Sequence, residues 1–239
     1  MLLNKLFNSN PYIVHAPGDL DYSILWHPIK KSIIYSKQEN VKHLNIFTCS
    51  SYKNFISEKE LDTFPNCCKK YNYEFTNLLY EKEWNTNRIK ILLTLEHLKK
   101  SNSEFVLSCD SNDVLIVRPL KDIIDKFLSL EADIIFNAEI RFWPYFAMKE
   151  IKSIEDEISK NYKIFRYLNA GLWIGKRKEA INFFDFCYNN FINLPIHPKS
   201  EQVCIKHTYV YNYPKIKIDH QCKIFQNLNL VGYDILELL

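Results

Sequence analysis

Short apolar runs alternate with amphipathic segments along most of the chain. Five apolar runs have the length of a buried strand: 44–49, 73–79, 104–109, 133–136 and 167–175. Amphipathic segments between or after them have a helical period: 61–71 with an interruption at Pro65, 87–100, 121–130, 178–191 and 200–207. A strand-rich tail follows at 215–225. This order of strands and helices is typical of an α/β fold.

Residues 1–43 lack this alternation. Turn-forming clusters surround one strand-like run, Tyr12 to His15, and no linker or repeat is visible further along the chain. The sequence therefore predicts an N-terminal extension over 1–43 and a single globular domain over 44–239.

The most distinctive stretch is an acidic turn between two apolar runs. The run ending at Cys109 leads into Asp110-Ser111-Asn112-Asp113, and a second run begins at Val114. An Asx turn that caps the following segment is one explanation for such a cluster. The other is a divalent cation site, because two carboxylates at the end of a buried strand need a compensating charge.

The amino-acid composition excludes several classes of function. The chain of 239 residues has 31 basic and 28 acidic residues, and the net charge of +3 is too small to indicate nucleic-acid binding. Four glycines exclude a glycine-rich phosphate loop of either common type. The seven cysteines form no C-x-x-C pair, and no apolar run has the length of a signal peptide, so we expect a cytoplasmic protein. Peripheral association with the inner face of a membrane stays open.

Several motifs occur in an order that resembles one family. After the acidic turn come Phe142-Trp143-Pro144, the segment 167–175 (YLNAGLWIG), Glu201-Gln202 and the segment 219–229 (DHQCKIFQNLN). Together they resemble the glycosyltransferase domain of the procollagen lysyl hydroxylases and its bacterial and viral relatives. The last segment is the most specific, and the resemblance extends from about Leu44 to Asn229.

The resemblance implies a GT-A fold, with a Rossmann-like mixed sheet flanked by helices, and a Mn²⁺ or Mg²⁺ ion that binds a UDP-sugar. Asp110 and Asp113 match the metal ligands. Further residues match positions around the donor or on the sugar and acceptor side of the cleft: Trp84, Lys90, Asn112, Trp143, Asn169, Gly171 and Gln202.

Two departures from the family pattern affect the predicted site. Where the animal enzymes have a run of aspartates, this chain has Pro198-Lys199-Ser200-Glu201, so the acidic contribution to sugar handling falls on Glu201. The family also continues to a Val-His-Gly-Asn-Gly motif whose histidine completes the metal site, and this motif does not follow Asn229 here. The segment 13–19 (IVHAPGD) resembles it at the other end of the chain. We hypothesise that His15 is the third ligand, from the same chain or from a neighbouring subunit; the alternative is a loop histidine in an extension.

The function expected from these features is transfer of a hexose from UDP-galactose or UDP-glucose to a hydroxyl acceptor. The acceptor can be a glycan, a lipid-linked sugar or a protein hydroxyl. Glu139 and Glu201 are the candidate catalytic acids, since an acceptor hydroxyl needs a base in an inverting transfer. The alternatives are a non-catalytic UDP-sugar or glycan-binding module with a decayed metal site and, less consistent with the spacing of the acids, a phosphatase or nucleotidyltransferase.

Overall fold

The computed structural model describes residues 2–18, 24–51, 63–144 and 148–238, so the predictions made for Asp19 and for residues 61 and 62 lie outside the described residues. The strands in these ranges are β1 (Leu2–Asn4), β2 (Ile13–His15), β3 (Leu44–Ser51), β4 (Thr76–Tyr80), β5 (Phe105–Cys109), β6 (Val114–Ile116), β7 (Ile134–Glu139), β8 (Tyr167–Lys176), β9 (Ile216–Ile218), β10 (Phe225–Asn227) and β11 (Leu236–Leu238). The helices are α1 (Trp26–Ser32), α2 (Thr63–Tyr71), α3 (Ile89–Lys100), α4 (Ile123–Leu128), α5 (Lys149–Ile158), α6 (Arg177–Phe191) and α7 (Glu201–Asn212).

A six-stranded mixed sheet forms the centre of the molecule, with strand order β4-β3-β5-β8-β7-β9. Strand β8 runs antiparallel to both of its neighbours, whereas the other pairs are parallel. Every residue of β5 and β7 is buried, which is typical of the inner strands of a sheet flanked by helices. The predicted α/β class, with a mixed sheet flanked by helices, is confirmed.

A smaller sheet with the order β10-β2-β6 pairs a strand from each end of the chain with β6. In it, β2 comes from the N-terminal part of the chain and β10 from the C-terminal part. Strand β2 lies in its middle, where His15 is opposite Asn227 on one side and Val114 on the other. Strand β1 pairs with β11 in an antiparallel ladder, in which Leu2 is opposite Leu238. The domain boundary at residue 43 stays a prediction, but strands from both sides of it are hydrogen-bonded to each other.

Three local predictions need correction. Pro65 does not interrupt a helix: it lies in the first turn of α2, where the missing N–H leaves no helical hydrogen bond unmade. Strand β7 continues past Phe136 through an irregularity in its pairing, so Glu139 belongs to the strand and not to a loop after it. Helix α5 was not predicted, although its residues Ile151, Ile154 and Ile158 have helical spacing.

None of the helices in the described ranges is both long and apolar enough to cross a membrane.

Candidate active site

Three side chains that are far apart in sequence meet at the carboxyl end of β5. His15 ends the buried strand β2, and Asp110 and Asp113 lie in the turn that joins β5 to β6. The His15 Nε2 atom is 3.3 Å from Asp113 Oδ2 and 3.7 Å from Asp110 Oδ2. One ligand atom from each residue can be chosen such that all three lie within 4.8 Å of one another. We refer to these three residues as the His-Asp cluster.

The His-Asp cluster has the chemistry of a divalent cation site. The Nδ1 atom of His15 is 3.0 Å from Asn169 Oδ1, to which it can donate, so Nε2 is left with a lone pair. That Nε2 atom is buried and has no partner with hydrogen-bond geometry. Burial lowers the pKa of His15, but the Asp113 and Asp110 carboxylates outweigh it and the net shift is upward. A positive charge between these atoms is therefore favourable, and a metal ion can replace the proton.

Gly171 leaves the space that the cluster occupies. A Cβ atom at this position would overlap the His15 ring and lie 2.6 Å from Asp110 Oδ2. The backbone of Gly171 also accepts a hydrogen bond of 2.8 Å from the Asp110 amide. Gly171 lies within strand β8 and not in a turn, so the close approach of the His15 ring and Asp110 is what requires a glycine here.

Lys90 connects the cluster to helix α7. Its ammonium group is 2.6 Å from Asp110 Oδ1 and 3.0 Å from Glu201 Oε1. Burial disfavours the charge, but the two carboxylates raise the pKa of Lys90 well above its usual value. Lys90 and Glu201, which sequence analysis assigned to donor binding and catalysis, thus meet at one edge of the cluster.

A second buried network surrounds Glu139. Gln202 donates from Nε2 to Glu139 Oε1 over 2.7 Å, and Asn169 donates from Nδ2 to Glu139 Oε2 over 3.3 Å. Gln202 also accepts from the Ala170 amide and donates to the carbonyl oxygen of Trp143. Burial raises the pKa of Glu139 to about 7, although Asn169 and Gln202 act in the opposite direction. A carboxyl group with this pKa can exchange a proton near neutral pH.

The two networks line one large open cleft of about 1340 Å³. Most of the predicted site residues line it: His15, Lys90, Asp110, Asp113, Glu139, Trp143, Asn169, Gly171, Glu201 and Gln202. Trp84 and Asn112 are not among the lining residues. The Trp84 indole donates to Asn87, which does line the cleft, and Asn112 accepts from Ser111 within the acidic turn. Their contact with a donor nucleotide stays a prediction.

Arg88 and Lys206 contact residues that line the cleft, and no sequence pattern indicates either of them. The buried Arg88 guanidinium donates to the carbonyls of Ile192, Ile196 and Ser200 at 2.6, 2.9 and 3.3 Å, and so fixes the loop that leads into α7. Lys206 is fully buried, 3.0 Å from Glu155, and its Nζ atom lies 4.4 Å from the centre of the Phe142 ring. The role of Arg88 follows from the carbonyl oxygens that surround it. These lie more than 100 residues away in sequence and are brought to Arg88 only by the tertiary fold.

Comparisons with known proteins agree with the sequence resemblance. The family described as the PLOD GT domain matches residues 40–237. Among curated proteins, procollagen-lysine,2-oxoglutarate 5-dioxygenase 2 of Mus musculus is 25% identical over 198 residues, which cover 73% of this chain and 24% of that protein. The chain thus spans about a quarter of the length of that relative.

One solved structure also covers most of the chain. It is a crystal structure of a glycosyltransferase involved in the glycosylation of the major capsid of PBCV-1, with a TM-score of 0.43 and 14% identity over 73% of this chain and 80% of that chain. The family match confirms the resemblance drawn from the sequence motifs and the GT-A class of the mixed α/β fold. Strand β2, which carries His15, lies before the first matched residue.

Proposed function

Because the chain belongs to the PLOD GT domain family of glycosyltransferases, we propose that it is a metal-dependent hexosyltransferase. Galactose or glucose is moved from a UDP-sugar to a hydroxyl group. The observation that carries the proposal is the convergence of His15, Asp110 and Asp113 at one end of a cleft large enough for donor and acceptor.

His15, Asp110 and Asp113 are the residues that would hold Mn²⁺ or Mg²⁺. When bound, such an ion supplies positive charge against the diphosphate of the donor. The buried Nε2 atom of His15, which lies 3.3 Å from Asp113 Oδ2 without hydrogen-bond geometry, and the space left by Gly171 support this assignment. The predicted third ligand would then come from the same chain, so that no neighbouring subunit is needed.

Lys90 is proposed to act on the leaving group, UDP, and Glu139 on the attacking acceptor hydroxyl. The acceptor oxygen forms a bond to C1 of the sugar while the bond from C1 to the diphosphate oxygen breaks, and its electron pair leaves with UDP. Lys90 stays cationic and stabilises the negative charge that develops on the diphosphate. The acceptor hydroxyl loses its proton to the Glu139 carboxylate. Lys90 binds the Oε1 atom of Glu201, and the other carboxylate oxygen of Glu201 can then orient the sugar.

A non-catalytic UDP-sugar or glycan-binding module is the alternative. It would have an incomplete metal site, and the position of His15 beside both aspartates supports the transferase instead. The acceptor class, whether glycan, lipid-linked sugar or protein hydroxyl, and peripheral attachment to the cytoplasmic face of a membrane stay proposals.

A donor screen tests the proposal. We expect Mn²⁺-dependent release of UDP from UDP-galactose or UDP-glucose, and calorimetric binding of UDP that needs the metal. Asp110→Asn and Asp113→Asn should each reduce UDP release by at least a hundredfold, since each removes one ligand charge. Binding of UDP without even slow hydrolysis of any donor would favour the module, and full activity of both variants would refute the assignment of the metal site.

A further inference from the structure

The rim of the cleft carries cationic and aromatic side chains that the proposed chemistry does not use. Two segments meet there: the rings of Trp143 and His197 have centroids 5.7 Å apart. Arg141 stands two residues before Trp143, and Lys199 two residues after His197, and both line the same cleft. We refer to Arg141, Trp143, His197 and Lys199 as the rim cluster. All four are exposed, Trp143 to 49%.

Among the residues that the structure describes, Arg141 and Lys199 are the cations of the cleft lining without a charged partner. Over the described ranges, neither side chain has an ion pair, a hydrogen bond or an aromatic partner. The other lysines in the lining are engaged, since Lys90 binds Asp110 and Glu201, and Lys152 binds Asp156 at 2.5 Å. The two lysines deeper in the lining are thus each paired with carboxylates, whereas the two cations of the rim are not.

The donor does not account for these two cations. In the proposed function its diphosphate is placed at the metal site and Lys90, and not at the rim cluster. A hexose brings no charge of its own. The group that fits the rim is therefore a second anion, carried by the molecule that enters from the open side of the cleft.

The exposed face of Trp143 indicates what carries that anion. Indole rings bind sugars through stacking on their apolar faces, and arginine binds carboxylate and phosphate groups through two parallel hydrogen bonds. On the basis of the proposed function, we infer that the acceptor is an acidic sugar, which stacks on Trp143 and places a carboxylate or phosphate between Arg141 and Lys199. The rim cluster then determines the preference for the acceptor.

Matched acceptors test this inference. Transfer from the best UDP-hexose is measured to methyl glucoside, methyl glucuronide and methyl glucoside 6-phosphate, which differ in charge at one carbon. We expect kcat/KM for at least one anionic acceptor to exceed that for the neutral one about tenfold, and the difference to shrink as salt is raised. The two anionic acceptors show whether a carboxylate or a phosphate is bound.

Substitutions at Arg141 and Lys199 test whether these two residues cause the preference for anionic acceptors. Arg141→Gln and Lys199→Gln should each raise KM for the anionic acceptor roughly three- to fivefold, the effect of one exposed charge pair, and leave the neutral acceptor unchanged. Lys178→Gln is the control, because Lys178 is exposed on α6 and does not line the cleft. Hydrolysis of the donor without acceptor should be the same in all of them.

Failure of this inference is distinct from failure of the proposed function. Absence of UDP release from every donor would refute the transferase, whatever the acceptor. Donor hydrolysis with equal or better use of the neutral acceptor, or no use of any of the three, would overturn the acidic acceptor. A preference for UDP-glucuronate over UDP-glucose that depends on Arg141 would also overturn it, because the anion would then belong to the donor.

Discussion

Glu139 is held by two amide donors in a buried position, and this environment predicts a pH dependence. Burial raises the pKa of Glu139 to about 7. As a base it must be ionised, so kcat/KM should rise about tenfold per pH unit below pH 7 and level off above it. Rates of UDP release between pH 5 and 9 measure this profile.

Glu139→Gln should lower kcat by about 10²- to 10⁴-fold, remove the rise below pH 7 and leave the affinity for UDP unchanged. Glu150→Gln, on the exposed side of α5, is the control. If Glu139→Gln kept the wild-type profile, the ionising group would be another one.

Gly171 allows a second prediction at the residue scale. In Gly171→Ala the methyl group would collide with the His15 ring and with Asp110, both of which are fixed by neighbouring strands. We expect the affinity for Mn²⁺, measured by calorimetry, to fall about ten- to hundredfold, as when metal ligands lose their orientation.

Gly232→Ala is the matched control. A Cβ atom there would meet only the side chain of Asp234, which can move away. Equal Mn²⁺ affinity of Gly171→Ala and wild type would show that the metal does not bind at the His-Asp cluster.

Most individual strands and helices could be predicted from the sequence, whereas the long-range strand pairing that assembles the site could not. The strand at 104–109 and the helix at 178–191 have strong periodic patterns, and both occur with shifts of one residue at most. Strand β2 has only three residues, and its position depends on pairing with β6 and β10, which lie about 100 and 210 residues away. Sequence motifs indicated His15 as a candidate, but only these long-range ladders place it beside Asp110.

The Arg88 side chain binds several carbonyl oxygens of the loop before α7. Arg88→Lys would keep the charge but lose the planar fork that binds four carbonyl oxygens. We expect a loss of about 1–3 kcal/mol in the free energy of unfolding, measured in urea, and a higher KM for the acceptor with unchanged Mn²⁺ affinity.

Arg177→Lys separates the two effects. Arg177 also donates to carbonyl oxygens, those of Ser103 and Leu98, but it does not line the cleft. It should destabilise the protein to a similar degree without changing KM. A raised KM in both variants would mean that global stability, and not the loop, governs acceptor binding.

On the scale of the whole molecule, the order of strands along the chain differs from the order that the family resemblance implies. There, the histidine motif follows the segment that matches Asn227 to Asn229. Here β2 precedes it in sequence, yet β2 lies parallel to β10 and directly beside it. The antiparallel pair of β1 and β11 brings Leu2 opposite Leu238. Joining these strands would therefore restore the family order without moving any strand.

A circular permutant tests whether chain order matters. It begins at Asn40, exposed and at the start of the family match, ends at Glu39, and joins residue 238 to residue 2 through about four residues, the length of a hairpin loop. Because the pairing of β2 is unchanged, we expect Mn²⁺ affinity and UDP release within about threefold of the native order.

His15→Ala, made in both the native and the permuted chain, shows whether β2 acts through its histidine. Loss of one of three ligands should weaken Mn²⁺ binding at least tenfold in both backgrounds. If the permutant had the same melting temperature as the chain in native order but had lost Mn²⁺ binding, the position of His15 would depend on chain order and not on strand pairing. Unchanged Mn²⁺ dependence of His15→Ala would leave Asp110 and Asp113 as the only protein ligands of the metal.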